Sequence, residues 1–196
     1  MLIYMIRHGQ TDWNAEGRLQ GQQDIDLNAL GREQATRNGE ELAQLIGNRI
    51  ADFAFVASPM ARTRETMELL RTAMDLPPTD YITDPRLVEV SFGDWEGHTL
   101  DELKKTVPER LKARRTGKWD FIPPGEAAES YEILSWRVGS WLRSVSQPTV
   151  CVSHGGVVRA LFHLVGDIDK DEAAWAAIPQ DQILRLETDT GHYRWL

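Results

Sequence analysis

Cysteine is nearly missing from this chain: Cys151 stands alone among 196 residues, so neither an internal disulfide nor a multi-cysteine metal cluster can form. Long apolar runs are missing too. None approaches the roughly 20 residues that a membrane-crossing helix needs, and no basic segment at the N-terminus leads into a long apolar stretch with a cleavage site. These absences set the expectation of a cytoplasmic chain with no membrane partner. Basic excess is the third thing lacking. The formal net charge is −8, whereas nucleic-acid binding draws on clustered Lys and Arg to neutralise phosphates, so no nucleic-acid partner is expected. Repeats, linkers and low-complexity segments are absent as well. With 41% hydrophobic and 27% charged residues, the composition is that of an ordinary folded protein, and residues 1–196 are expected to form one α/β domain.

What is present is a set of apolar runs that end alike. Leu2 to Ile6, Phe53 to Ala57 and Thr149 to Ser153 read as core strands. The first runs into Arg7-His8-Gly9, the second into Ser58-Pro59 and a turn bearing Arg62, the third into His154-Gly155-Gly156. Helices are expected at about 29–46, with Asn28 as N-cap, and at about 59–74, 128–145 and 157–165. Residues 100–118 are helical in character with a break at Pro108, and Asp189-Thr190-Gly191 joins two runs that predict a terminal hairpin. A short strand near Tyr81-Ile82 leads to Glu89, expected at the end of its own short strand. Residues 98–128 read as an excursion from the sheet, placed to cover a substrate as a cap.

If the three strands are neighbours in one mostly parallel sheet, their carboxyl ends share a crevice holding Arg7, His8, Arg62 and His154, with Glu89 close by. Two guanidinium groups, two imidazoles and two helix N-termini make an anion site, and phosphate is the anion they suit. Singly, each residue has a plainer reading. Arg7 and His8 can begin a surface loop, Arg62 can be solvated, Glu89 can pair with Arg86, and His154 can cap its helix. The aromatics of the 128–145 helix, Tyr131 among them, are assigned to the core. What favours a site is that every candidate falls at a strand end.

At these positions the chain resembles the histidine phosphatase superfamily, also called the phosphoglycerate mutase-like family. Arg7-His8-Gly9-Gln10-Thr11 with Trp13-Asn14 is similar to its signature, Ser58-Pro59 with Arg62-Thr63 and Glu65-Thr66 to its second motif, Leu87 to Gly97 to its acid loop, and Ser153-His154-Gly155-Gly156 to its last motif. The resemblance implies a three-layer α/β/α sandwich with a mostly parallel sheet and a small helical cap inserted after the acid loop. It also implies that His8 carries the phosphoryl group, that Arg7, Arg62 and His154 hold its oxygens, and that Glu89 acts as general acid and then base. Asn14, Gln20, Gly21 and Gly155 match positions lining the phosphate pocket. No metal or organic cofactor is implied, and the expected ligand is a small-molecule phosphate ester. Oligomeric state is not set by the sequence.

The family divides between phosphatases and cofactor-dependent phosphoglycerate mutases. Phe92 stands where the mutase branch has a tyrosine, and Trp95-Glu96-Gly97-His98 lacks the lysine that follows there, which favours a phosphatase. Arg114-Arg115 lie about where mutases place a substrate-gripping pair, though Lys112, Arg114, Arg115 and Lys118 can also be a solvated helix face. Extra residues precede Ser130 relative to the compact turn of the phosphatase branch. Other classes fit less well. A cysteine-dependent phosphatase needs an arginine where the chain has Val157, a Gly-x-Ser-x-Gly elbow is absent, and no His-Glu-x-x-His pair occurs. A binding protein without turnover stays open as the remaining rival.

Overall fold

A computed structural model of the chain describes residues 1–196. Six strands form one sheet: β1 (Leu2–Arg7), β2 (Ala54–Ala57), β3 (Ile82–Thr83), β4 (Thr149–Ser153), β5 (Ile183–Glu187) and β6 (His192–Trp195), in the order β3-β2-β4-β1-β5-β6. The first four run parallel, β5 lies antiparallel to β1, and β6 returns on β5 as the expected hairpin. The three strands singled out in the sequence are therefore adjacent. Arg7 pairs with Ser153 and Ala57 with Val152, so their carboxyl ends finish almost level.

Side chains alternate across this sheet and feed two separate cores. Ile3, Met5, Val56, Cys151, Leu184 and Leu186 face one way, onto Leu134, Val138 and Trp141 of α6 (Tyr131–Ser144) and Val157, Val158 and Leu161 of α7 (Gly155–Gly166). Tyr4, Ile6, Phe55, Ala57, Val150 and Val152 face the other way, onto Leu42 and Ile46 of α2 (Ala29–Ile46) and Met67 and Leu70 of α3 (Ala61–Ala73). Each fully buried Leu or Met contributes about 1.5–3 kcal/mol, which is why the two helical layers hold a sheet whose strands are short. The result is the expected α/β fold with helices on both faces of a mostly parallel sheet.

Helix boundaries differ from the sequence reading for identifiable reasons. α3 begins at Ala61 rather than at Pro59, because the carboxylate of Asp24 accepts from the Ala61 N–H at 2.8 Å and caps the helix from another loop. α6 begins at Tyr131 rather than near Ala128, since the Ser130 hydroxyl accepts from the Ile133 N–H at 3.2 Å as a local N-cap. α7 starts at Gly155, two residues earlier than expected. The region of 98–128 carries α4 (Leu100–Thr106) and α5 (Pro108–Thr116), with Pro108 in the first turn of the second, where a missing N–H costs nothing. Two short helices had no sequence expectation: α1 (Asp12–Ala15), held by a Thr11/Asn14 capping box, and α8 (Lys170–Trp175). No helix is long and apolar enough to cross a membrane.

Gly9 and Gly31 are where the sheet end meets α2. A Cβ on Gly9 would lie 2.2 Å from the Gly31 carbonyl oxygen, and one on Gly31 would lie 2.1 Å from that of Gln10. The loop after β1 and the first turn of α2 thus touch backbone to backbone, which fixes the height of His8 above the sheet.

Candidate active site

Arg7, His8, Asn14, Gln20, Gly21, Arg62, Glu89 and Gly155 all line one cleft of about 140 Å³ at the carboxyl ends of β1, β2 and β4. His154 stands directly behind it, fully buried, with its ring centroid 5.2 Å from that of His8. Arg18, Leu19, Phe92, Tyr131 and Arg159 complete the wall. The other two candidates fall elsewhere. Arg114, on α5, is buried but does not line the cleft, and Arg115 is exposed.

The His8 amide donates to the Ser153 carbonyl at 2.9 Å, continuing the β1/β4 ladder past the last strand residue. Its own carbonyl accepts from the Gln180 side chain at 2.9 Å, and Gln180 also donates to Asn14 Oδ1 at 3.0 Å. The ring is held with equal economy. His8 Nδ1 lies 2.8 Å from the Gly9 carbonyl, an oxygen that can only accept, so Nδ1 carries the proton and Nε2 keeps its lone pair. Burial first, then the charges of Arg62 and Arg7, hold the His8 pKa well below its usual value. The imidazole is neutral at physiological pH, with one basic nitrogen presented.

The cations around it are oriented by backbone oxygens. Arg62 donates to the carbonyls of Gln23 at 2.7 Å and Gly21 at 2.8 Å, leaving its Nε–H for His8 Nε2 at 3.3 Å. Arg7 donates through Nη1 to the Ile178 carbonyl at 2.7 Å, while its buried Nε–H has no partner in the chain. Burial and the neighbouring Arg159 push the Arg7 pKa down to about 10, so it stays charged. His154 Nε2 meets the Ser58 hydroxyl at 2.8 Å, which leaves Nδ1 as the second buried nitrogen with no partner. The Gln20 amide donates to Thr11 Oγ1, and its Oε1 is the third unpartnered buried atom. A buried polar atom without a partner costs about 1–3 kcal/mol, and three of them, Arg7 Nε, His154 Nδ1 and Gln20 Oε1, adjoin a cleft walled by four arginines, a lining suited to an anion.

Glu89 does not end a strand. Asp84 and Pro85 initiate a 3-10 turn over Pro85–Leu87, and the following extended residues have no strand neighbour. Arg137 of α6 takes the place of one, donating to the carbonyls of Arg86 (2.9 Å), Val88 (2.5 Å) and Glu89 (3.0 Å). The Ser153 hydroxyl pins the same segment through the Leu87 carbonyl at 2.8 Å. So held, the Glu89 carboxylate accepts the Gly156 N–H at the start of α7, at 3.0 and 3.1 Å from its two oxygens. It is the sole acidic side chain on the cleft wall, opposite Arg7, Arg18, Arg62 and Arg159. No group of three or more His, Cys, Asp or Glu side chains is placed to hold a metal ion.

Arg159 and Tyr131 were not singled out for the site. Arg159 follows Gly155 by four residues on α7 and so shares its face, a signal present in the sequence. Tyr131 is in the core, as its helical spacing implied, yet its hydroxyl turns to the cleft, 3.5 Å from Arg159 Nη1.

The model of the histidine phosphatase superfamily (branch 1) matches residues 3–196, and the chain belongs to that superfamily. It is a phosphoryl-transfer enzyme of the phosphatase or mutase type. Phosphoglycerate mutase-like protein 4 of Arabidopsis thaliana is 34% identical over 165 residues, covering 82% of this chain and 69% of that protein. Glucosyl-3-phosphoglycerate phosphatase of Mycolicibacterium vanbaalenii is 34% identical over 170 residues, covering 81% of this chain and 71% of its own length. Among solved structures, Bacillus stearothermophilus YhfR superposes with a TM-score of 0.78 at 28% identity, over 99% of this chain and 94% of that one.

Proposed function

We propose that the chain hydrolyses a small phosphate monoester in two steps through a phosphohistidine on His8. In the first, His8 Nε2 attacks phosphorus, the phosphorus–oxygen ester bond breaks, and the departing alkoxide takes a proton from the Glu89 carboxyl group. In the second, a water molecule attacks the phosphohistidine, gives a proton to the Glu89 carboxylate, and the phosphorus–nitrogen bond breaks to release inorganic phosphate. The loose transition state spreads charge over three oxygens. Arg7 Nε, Arg62 and His154 Nδ1 are the donors for them, with Asn14, Gln20, Gly21 and Gly155 shaping the remaining wall.

The observation that carries this reading is the pairing of a buried, neutral His8, whose Nε2 keeps its lone pair and accepts the Arg62 Nε–H at 3.3 Å, with a buried Arg7 Nε–H and a buried His154 Nδ1 that have no partner in the chain. Water rather than a second hydroxyl is the acceptor on this reading, because Phe92, which lines the cleft, stands where the mutase branch that the chain resembles has a tyrosine. A screen of phosphate monoesters for phosphate release, run beside an isomerisation assay with 3-phosphoglycerate, tests both halves. Phosphate release without isomerisation is expected. Isomerisation outpacing release would assign the chain to the mutase branch instead.

A further inference from the structure

Glu96 is half-buried, lies outside the cleft wall and takes part in none of the ion pairs of the chain. Four neutral donors nevertheless converge on its carboxylate. Oε1 accepts the Gln22 N–H at 2.9 Å, the Phe92 N–H at 3.1 Å and the Ser91 hydroxyl at 3.4 Å, and Oε2 accepts the Gln23 side-chain amide at 3.0 Å. Gln22 and Gln23 belong to the loop after α1, Ser91 and Phe92 to the acid segment that starts at Glu89. An ionised carboxylate is all acceptor, so it suits a place where only N–H and O–H groups arrive from two separate stretches of chain.

Both stretches carry cleft wall: Leu19, Gln20 and Gly21 on one, Glu89 and Phe92 on the other. The first also orients Arg62, whose guanidinium donates to the Gly21 and Gln23 carbonyls. Gly21 has a φ of +52°, and a Cβ on it would run into Glu96 Oε1, so this turn rests directly on the carboxylate and needs glycine. The second stretch is tied back to the first by the Gln22 side chain, which donates to the Glu89 carbonyl at 3.1 Å. At the root of the contact, the Gly97 N–H donates to the Leu19 carbonyl at 2.8 Å and the Leu19 N–H to the His98 carbonyl at 3.0 Å. One side chain thus bridges the loop that aims Arg62 and the segment that carries Glu89.

We propose that Glu96 is a positioning residue for phosphoryl transfer: it clasps residues 19–23 to residues 89–92 and so holds the Arg62 guanidinium and the Glu89 carboxyl group in register with His8, without touching substrate. This rests on reading the cleft as a phosphoryl site. Reach, more than charge, is what the clasp supplies. Each of its donors is neutral, and its charge acts on Arg62 less than the charges of Glu89 and Asp24 do. A displacement of about 1 Å in a reacting constellation costs on the order of 10²-fold in rate, so a clasp outside the cleft has leverage on what happens inside it. Because Arg62 acts on the phosphoryl group itself, loss of the clasp impairs aryl and alkyl esters alike.

Three variants separate reach from charge. Glu96→Gln keeps the length and the Oε1 acceptor, and the Gln23 amide can turn its oxygen to the new NH2 group. Glu96→Asp keeps the charge but is one methylene short of bridging both stretches, and it carries the test even where Glu96→Ala loses the fold. For nitrophenyl phosphate, kcat/KM is expected to stay within about threefold of the parent in Glu96→Gln and to fall about 10–10²-fold in Glu96→Asp and Glu96→Ala. Calorimetric titration with orthovanadate, which takes the five-coordinate geometry of phosphorus under attack, is expected to show about tenfold weaker binding in the same two variants. A merely structural role would lower the fraction of folded protein, and with it kcat and the number of binding sites, while vanadate affinity stayed at the parent value. That result, or a Glu96→Gln variant as impaired as Glu96→Asp, would overturn the proposal. If the phosphatase reading fails, phosphate release is absent in the parent chain while the vanadate affinities still read the clasp.

Discussion

The Nε–H of Arg62 donates to Nε2 of His8 across 3.3 Å, the same nitrogen that would bond phosphorus. Its two Nη nitrogens donate to the Gln23 and Gly21 carbonyls, which fixes the guanidinium plane with its Nε–H facing His8. Arg62→Lys keeps the charge and loses the fork. Removal of one positioned donor typically lowers turnover about 10²–10³-fold, and a loss of that size in kcat/KM is expected, with the circular dichroism spectrum unchanged. Retention of full activity would remove Arg62 from the phosphoryl site.

His8 and His154 are both held neutral, chiefly by burial and then by Arg62. Their folded pKa values lie well below 6.5, the ordinary histidine value, so below about pH 6.5 the unfolded chain binds more protons than the folded one. Stability is therefore fully present above that pH and is lost as pH falls beneath it. Ring resonances of both histidines in the ligand-free protein are expected to stay flat from about pH 8 to 5.5, while urea-unfolding free energy falls across the lower part of that range. A His8 resonance titrating near 6.5 would contradict the neutral nucleophile.

Glu89 and Gly156 should fail together in function and differ from Gly9 in stability. A Cβ at Gly156 would lie 2.2 Å from Glu89 Oε1, the free end of a side chain that can swing away, whereas a Cβ at Gly9 meets the Gly31 backbone. Gly156→Ala is expected to fold and lose the acid, as Glu89→Gln does. Both should lower turnover of alkyl phosphates by about 10²–10⁴-fold and give a burst of nitrophenol from nitrophenyl phosphate, whose leaving group needs no proton. Gly9→Ala should instead lower the melting temperature. Equal losses for alkyl and aryl esters in Glu89→Gln would count against Glu89 as the proton donor.

What could be read from the sequence was what is local. The runs of β1, β2 and β4 and the turns that follow them are each written within about ten residues, and adjacency of the strands placed Arg7, His8, Arg62 and His154 in one crevice. Long-range partners were not legible. Arg137 substitutes for a strand beside Glu89 from α6, so the acid segment looked like a strand and is not one. Asp24 caps α3 from a distant loop. Arg159 and Lys118 owe their directions to carbonyls of the segment from α8 to β5, which carries no motif at all. α1 and α8 are shorter than two helical turns, too short for apolar periodicity to show.

Lys118 is a buried lysine whose charge destabilises the fold. With a folded pKa of about 7 against an ordinary 10.5, it loses its proton in the folded chain before it does so in the unfolded one. Between about pH 7 and 10.5 the unfolded state binds more protons, so stability rises with pH through that window and the cost of burying the charge is greatest below it. Lys118→Met removes this cost. The variant is expected to be more stable than the parent at pH 6, by on the order of a few kcal/mol at most given partial solvent access, and the gain should shrink as pH climbs toward 10. Paired urea titrations at several pH values measure it. A gain independent of pH would mean that Met packs better there and that Lys118 carries no stored charge; a gain confined to low pH is the outcome that the buried charge predicts.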